Sequence, residues 1–333
     1  MVFSFSQRKA LSIIPHITGA LSVIGSLSIL YDILKDRSRK LHRPYYRILL
    51  GMSFFDVFAS ASLGMSTWPI PKGTEGVYGA MGTTQTCTAQ GFFIQLMLVS
   101  PFYNLMLAWY YLLLGKNKPL SEEAIASKYE KYMHTLAIIP TISIAVAGLP
   151  LTLYNNANLW CWIAAYPPTC DNDEGTHGHD WPCERGENAW LFRWAFFYAP
   201  LWFIIATITV MMIMLTRLIR REERQVIEIQ KHSRVLQRPD SEFEGDLRRE
   251  QHVQMRIPTR QESMRLERSK QMFHQAVFYV GVFYVTWMFG TINRLVQLIG
   301  GQNNVALMIL HSTFTPMQGF LNFLVYRHGP CVA

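Results

Sequence analysis

Charged residues are nearly absent from seven long stretches of this 333-residue chain, and that absence excludes a water-soluble fold for most of it. The stretches run over 10–34, 46–68, 88–114, 133–154, 189–218, 273–299 and 306–326. Each is long enough to cross about 30 Å of hydrocarbon, which takes about 20 residues of helix. Lipid offers backbone N–H and C=O groups no partner, so all seven are predicted to be helices in one all-α membrane bundle.

Lysine and arginine are scarce in alternate loops only: Lys72 after the second span, Arg185 after the fourth, none after the sixth. The other loops hold six (Lys35, Arg37, Arg39, Lys40, Arg43, Arg47), then four (Lys116, Lys118, Lys128, Lys131), then fourteen from Arg217 to Lys270. Cytoplasmic loops retain positive charge during insertion, so the pattern predicts the N-terminus outside and the C-terminus in the cytoplasm. Arg8 and Lys9 oppose this and are outweighed across the first span. That span is expected to stay in the protein: its apolar run exceeds a signal-peptide core, and Asp36-Arg37-Ser38-Arg39-Lys40 follows as a stop-transfer flank. The net charge of +8 belongs to the cytoplasmic loops and predicts anionic lipid or an acidic protein face as partner, not nucleic acid.

Cysteine is also sparse. Of five, Cys87, Cys161, Cys170 and Cys183 fall on the outer side, where disulfides persist. Four cysteines allow three pairings. The favoured one joins Cys87 to Cys161, pinning the loop after span 4 onto span 3, and Cys170 to Cys183, closing a hairpin around His177 and His179. Those histidines match no common zinc spacing, so no metal and no cofactor are expected. Cys331, just past span 7 on the cytoplasmic side, is a candidate for palmitoylation.

The 219–269 loop has no apolar run long enough for a core. Opposite charges three and four apart over 220–231 and 260–268 predict that spans 5 and 6 continue as helical stalks, with a flexible middle between Pro239 and Pro258.

Polar residues within spans cost free energy unless they face the bundle interior. Asp56 of span 2 and Gln318 and Asn322 of span 7 fall at similar depth and, with Asn104 of span 3, are predicted to form one polar layer; it serves either as a conformational switch or as interhelical glue. In the outer half Gln95, Trp162, Arg193, Trp287, Arg294 and His311 are candidates for a ligand pocket of aromatic walls with a few fixed polar groups. An interfacial aromatic belt is the competing reading of the tryptophans, and snorkelling that of Arg294. Pro140, Pro150 and Pro200 are taken to lie near helix ends.

Seven spans, a cysteine opening span 3, the run Leu159-Trp160-Cys161-Trp162-Ile163 and the ending Gln318-Gly319-Phe320-Leu321-Asn322-Phe323-Leu324-Val325-Tyr326 together resemble a G-protein-coupled receptor. The chain is most similar to the slime-mould cyclic-AMP-receptor-like class and its secretin/adhesion relatives. The resemblance implies a Cys87–Cys161 disulfide, a switch region at Gln318, Gly319 and Asn322, and coupling to a heterotrimeric G protein at the plasma membrane. Arg47, Tyr110, Lys116, Arg221, Arg265 and Arg268 are then the candidates for G-protein contact, their positive charge steering an acidic partner face. The rhodopsin-class signatures are missing: span 3 ends Ala108-Trp109-Tyr110-Tyr111-Leu112 with no Asp-Arg-Tyr, no proline follows Trp287, and span 7 lacks Asn-Pro. Span 7 has no lysine either, which excludes a retinal Schiff base. No span carries a paired His or Ser/His/Asp set, so an enzyme is not expected. A multi-pass transporter or channel is the alternative, though no inverted repeat is visible. With about nine residues ahead of span 1, the expected ligand is a small molecule, or a peptide entering from the outer loops.

Overall fold

The computed structural model describes residues 4–115, 120–168, 170, 182–236, 260–299 and 304–328. α1 (Phe5–Lys35) starts at a capping box in which Ser4 Oγ accepts from Gln7 N at 3.3 Å and Gln7 Oε1 accepts from Ser4 N at 2.9 Å. A short α2 (Arg37–Lys40) leads into α3 (Pro44–Gly64), whose proline occupies the first turn, where a missing N–H costs nothing. α4 (Thr84–Gln95) and α5 (Val99–Leu114) form one rod through a 3-10 turn at Leu96–Leu98. α6 (Glu122–Lys128), capped by Ser121, precedes α7 (Glu130–Ala147). A hairpin follows, β1 (Tyr154–Asn156) antiparallel to β2 (Cys161–Ile163) with Tyr154 opposite Ile163. α8 (Ala189–Arg193) runs through a π-helical turn at Trp194–Tyr198 into α9 (Ala199–Leu236). α10 (Arg260–Leu298) is followed by α11 (Val305–Phe314), a 3-10 turn at Thr315–Met317 and α12 (Gln318–His328).

Five rods, Phe5–Lys35, Pro44–Gly64, Thr84–Leu114, Ala189–Ile229 and Leu266–Gln297, are long and apolar enough to cross a membrane. α7 and the broken α11–α12 rod complete an all-α bundle of seven rods among the described residues. Two expectations need correcting. The fourth span was predicted to reach Tyr154, but its helix stops at Ala147 before Gly148-Leu149-Pro150, where proline cannot continue the hydrogen-bond ladder, and Tyr154 instead opens β1 with its hydroxyl donating to Ala145 O at 2.7 Å. Pro140 lies inside α7, not near its end.

Small residues let the backbones approach. A Cβ on Gly19 would come within 2.5 Å of Gly64 Cα, so α1 and α3 touch there, while Gly319 N donates to Ser22 Oγ at 2.9 Å where α12 meets α1. Ile17, Ile24, Phe203, Val210 and Phe278 point outward with more than half their surface exposed, the arrangement hydrocarbon favours.

The two ends of the bundle differ. One carries the β1–β2 hairpin and two disulfides, Cys87–Cys161 and Cys170–Cys183. Gln90 seats the hairpin: its Oε1 accepts from Cys161 N at 2.8 Å and its Nε2 donates to Ser62 O and Ser66 O at 2.9 and 2.8 Å. At the opposite end α9 and α10 extend as stalks, reaching Leu236 and starting from Arg260.

Candidate functional site

At the disulfide end the hairpin, the π-helical turn, α10 and α11 enclose a cavity of about 240 Å³. Trp162, Arg193, Trp287, Arg294 and His311 line it, together with Trp160, Phe197, Tyr198, Thr291 and Asn293. Gln95 stands behind the wall and positions it: its Oε1 accepts from Trp162 Nε1 at 2.9 Å, and its Nε2 donates to Phe196 O, inside the π turn, at 3.0 Å. A π turn misaligns the usual backbone ladder, and such turns recur at functional sites. Trp162 meets Phe197 edge-on at 4.8 Å between centroids, and Phe197 reaches Trp287 at 5.7 Å, giving one aromatic wall across three elements.

Arg294 is buried, with 7 % of its surface exposed. Its guanidinium lies over the rings of Trp194 and Tyr198 at 5.7 and 5.5 Å and donates to Gln297 Oε1 at 2.8 Å, so it faces inward and does not snorkel. Arg193 Nε donates to Ile163 O at 3.1 Å, tying α8 to β2. His311 meets Trp160 edge-on at 5.5 Å. Phe197, Tyr198 and Thr291 were not among the predicted pocket residues. Thr291 follows Trp287 by four and precedes Arg294 by three, a same-face spacing that could have marked it.

Mid-bundle, buried Asp56 on α3 is held from two sides. Ser100 Oγ of α5 donates to Asp56 Oδ1, and Asn322 Nδ2 of α12 donates to Asp56 Oδ2 at 3.2 Å. Asn104 Nδ2 donates back to Ser100 O at 3.0 Å, so it supports the layer through Ser100. Gln318 is buried, but no partner for its Nε2 occurs among the described residues. It lies one turn away from Asn322 at the start of α12, so the carboxylate is met by Ser100, which the sequence reading did not include, and not by Gln318.

Toward the opposite end Tyr45 OH and Tyr279 OH lie 3.1 Å apart and Gln275 Nε2 donates to Tyr45 OH at 2.6 Å, fastening α10 to α3. Farther out, Glu122 of α6 accepts from Arg43 Nε and Nη2, both at 3.0 Å, and from Arg268 Nη2 of α10 at 3.3 Å. Arg47 donates to Glu130 and to Leu41 O. Burial pushes the Glu130 carboxyl up, but the Arg47 guanidinium, aided by His134, overrides this and holds it at about 2. Glu122 likewise raises Arg43 above its ordinary value. Of the predicted coupling residues, Arg47 and Arg268 are thus engaged within the protein, Tyr110 is buried, and Arg221 is exposed on α9. Lys116, the Arg265 side chain, His177, His179 and Cys331 lie outside the described residues. Among the described residues no cluster of His, Cys, Asp or Glu could hold a metal ion.

Among solved structures, the crystal structure of squid rhodopsin matches 98 % of this chain and 78 % of its own, with a TM-score of 0.65 at 13 % identity. At that identity the likeness carries the fold alone: the chain is an all-α bundle of membrane helices with an arrangement similar to that structure's. No family model and no curated protein matches the sequence.

Proposed function

We propose that this protein is a G-protein-coupled receptor in which a small extracellular ligand, bound in the cavity, shifts the bundle toward a state that activates a heterotrimeric G protein at the opposite end. The observation that carries the reading is α10 itself. It contributes Trp287 and Arg294 to the cavity, Tyr279 to the hydroxyl pair with Tyr45, and Arg268 to the ionic contact with Glu122. Trp287 and Arg268 are roughly 28 Å apart along one helix at 1.5 Å per residue. A ligand that favours a displaced α10 therefore acts on polar fastenings at the far end, and its leverage is the difference in its affinity for the two arrangements.

The positive loops support a stalk end in the cytoplasm and disulfides outside, and the receptor reading takes the membrane to be the plasma membrane. Lys and Arg of the stalks, Arg221 among them, suit an acidic partner surface. The sequence likeness to the cyclic-AMP-receptor-like class supports this reading within a rhodopsin-like fold. The Asp56–Ser100–Asn322 layer ties α3, α5 and α12 together between the two ends and is assigned as the switch layer. The test is guanine-nucleotide exchange in membranes carrying the chain, challenged with fractionated extracellular extracts. Exchange above that of membranes lacking the chain is expected; none with any fraction contradicts the reading.

A further inference from the structure

Outside the ligand cavity, α4 and the segment after α7 leave an open groove of about 470 Å³ at the disulfide end. Two ridges of α4 wall it, Thr84, Thr88 and Phe92 on one and Gln85, Ala89 and Phe93 on the other. Residues four apart stack along a helix, so each ridge begins polar and turns apolar. The rod that opens at Thr84 runs 31 residues to Leu114. That is roughly 46 Å against about 30 Å of hydrocarbon, and the polar turns at Thr84–Thr88 are the part that belongs at headgroup depth. The apolar half opens to lipid: Phe93 is 36 % exposed and stacks on Phe58 of α3, and Leu149 across the groove is 40 % exposed.

Arg185 lines the polar half. Its Nε donates to Asn155 Oδ1 at 2.7 Å and its Nη2 to Thr88 Oγ1 at 3.1 Å, which fixes the guanidinium beside the groove. No carboxylate pairs with it among the described residues, and arginine keeps its proton. The Thr88 hydroxyl accepts from Arg185, and no acceptor for its own proton occurs among the described residues. A fixed cation and a spare hydroxyl donor at headgroup depth, above an apolar trough, match the phosphate and chain of a lipid. Glu184 and Glu187 are exposed on the same segment as Arg185. They oppose a headgroup of net negative charge and suit the ammonium of a zwitterion.

We propose that this groove binds a zwitterionic diacyl phospholipid from the leaflet at the disulfide end, its phosphodiester on Arg185 and Thr88 and one acyl chain over Ala89 and Phe93. The test uses the full chain in dodecyl maltoside, a detergent without phosphate, with Cys331→Ser and a bimane label on Leu151→Cys, two residues past Leu149 and outside the lining. The same label on Ile13→Cys, on the lipid face of α1, reports unselective lipid. The added lipids carry a nitroxide high on one chain: a phosphatidylcholine, and a diacylglycerol with identical chains. Phosphatidylcholine is expected to quench the label at 151 at about fivefold lower concentration than the label at 13, and diacylglycerol to quench both alike. Arg185→Gln should erase the preference, Arg185→Lys should keep part of it, and Arg39→Gln, at the opposite end, should keep it all. Should Arg185→Gln not fold, since Arg185 also ties β1 to α4, Gln85→Glu at an exposed position on the rim sets a carboxylate against the phosphate and is expected to remove most of the preference. Equal quenching of the two labels by phosphatidylcholine overturns the proposal. So does the same preference from diacylglycerol, which marks an apolar trough only, or weaker quenching at 151 than at 13 by both lipids, which marks a second copy of the chain on this face. A preference that survives both Arg185→Gln and Gln85→Glu overturns it as well.

Discussion

Replacing Glu122 by Gln is expected to raise ligand-independent nucleotide exchange. Glu122 accepts both from Arg43, the residue that caps the start of α3, and from Arg268 of α10. The two contacts are unequal. The Arg43 fork is bidentate and mostly shielded, with side chains 24 % and 18 % exposed, whereas Arg268 is 56 % exposed and touches through one nitrogen. An exposed single contact of that kind is worth about 0.2–1 kcal/mol. Losing it shifts the balance between fastened and displaced α10 by up to about fivefold. The substitution keeps the shape of the side chain and removes only its charge, and Glu123→Gln, next to it and fully exposed, serves as control. Basal exchange should rise about twofold to fivefold for Glu122→Gln alone, and spin labels on α6 and α10 should show a population at longer separation. Unchanged exchange with an unchanged distance distribution would refute the latch. The sequence presents Arg268 as waiting for an acidic partner, but in the fold it meets Glu122, and nearby Lys270 Nζ sits 3.0 Å from Glu223 Oε1 of α9. Arg268→Glu is accordingly expected to raise basal exchange before it weakens coupling.

Asp56→Asn should fold and change the ligand response, because an amide accepts through one oxygen only, whereas Asp56→Leu strands the Ser100 hydroxyl and the Asn322 amide at about 1–3 kcal/mol each and should lower folded yield. Cys87→Ser should cost more stability than Cys170→Ser, by roughly 1.5 kcal/mol on chain entropy, since the separations closed are 74 and 13 residues; denaturation of purified protein checks the order. Glu130, held at about 2, contributes stability that is fully present above the free carboxyl value near pH 4.3 and is lost as pH falls through about 2. The melting temperature should therefore fall across that window in the wild type, and less so in Glu130→Gln.

Hydropathy and charge made the rods, their number and the stalks readable in the sequence, because those features depend on residues near one another in the chain. What stayed hidden depends on distant pairs. Tyr45 and Tyr279 are separated by 234 positions, and neither stands out in its own span. Glu122 and Glu130 looked like ordinary loop charges until the fold set Arg43, Arg268 and Arg47 beside them. Ser100 is a commonplace helix residue whose importance comes from the carboxylate across from it. Gln318 was misassigned because helical spacing places it and Asn322 on one face without saying which of the two stands level with Asp56. The pocket residues were readable in part, since arginine and histidine inside spans are costly and therefore conspicuous, whereas Phe197 and Tyr198 look like any lipid-facing aromatics.

The central claim is that the stalk end acts on a G protein. Proteoliposomes holding only this chain and a purified heterotrimer test it most directly, with guanine-nucleotide exchange and solute flux measured on the same preparation. The account predicts exchange above that of protein-free liposomes, higher again for Glu122→Gln, and no flux. Exchange at the protein-free rate for both chains with every heterotrimer class, or flux across the bilayer in its place, would contradict it.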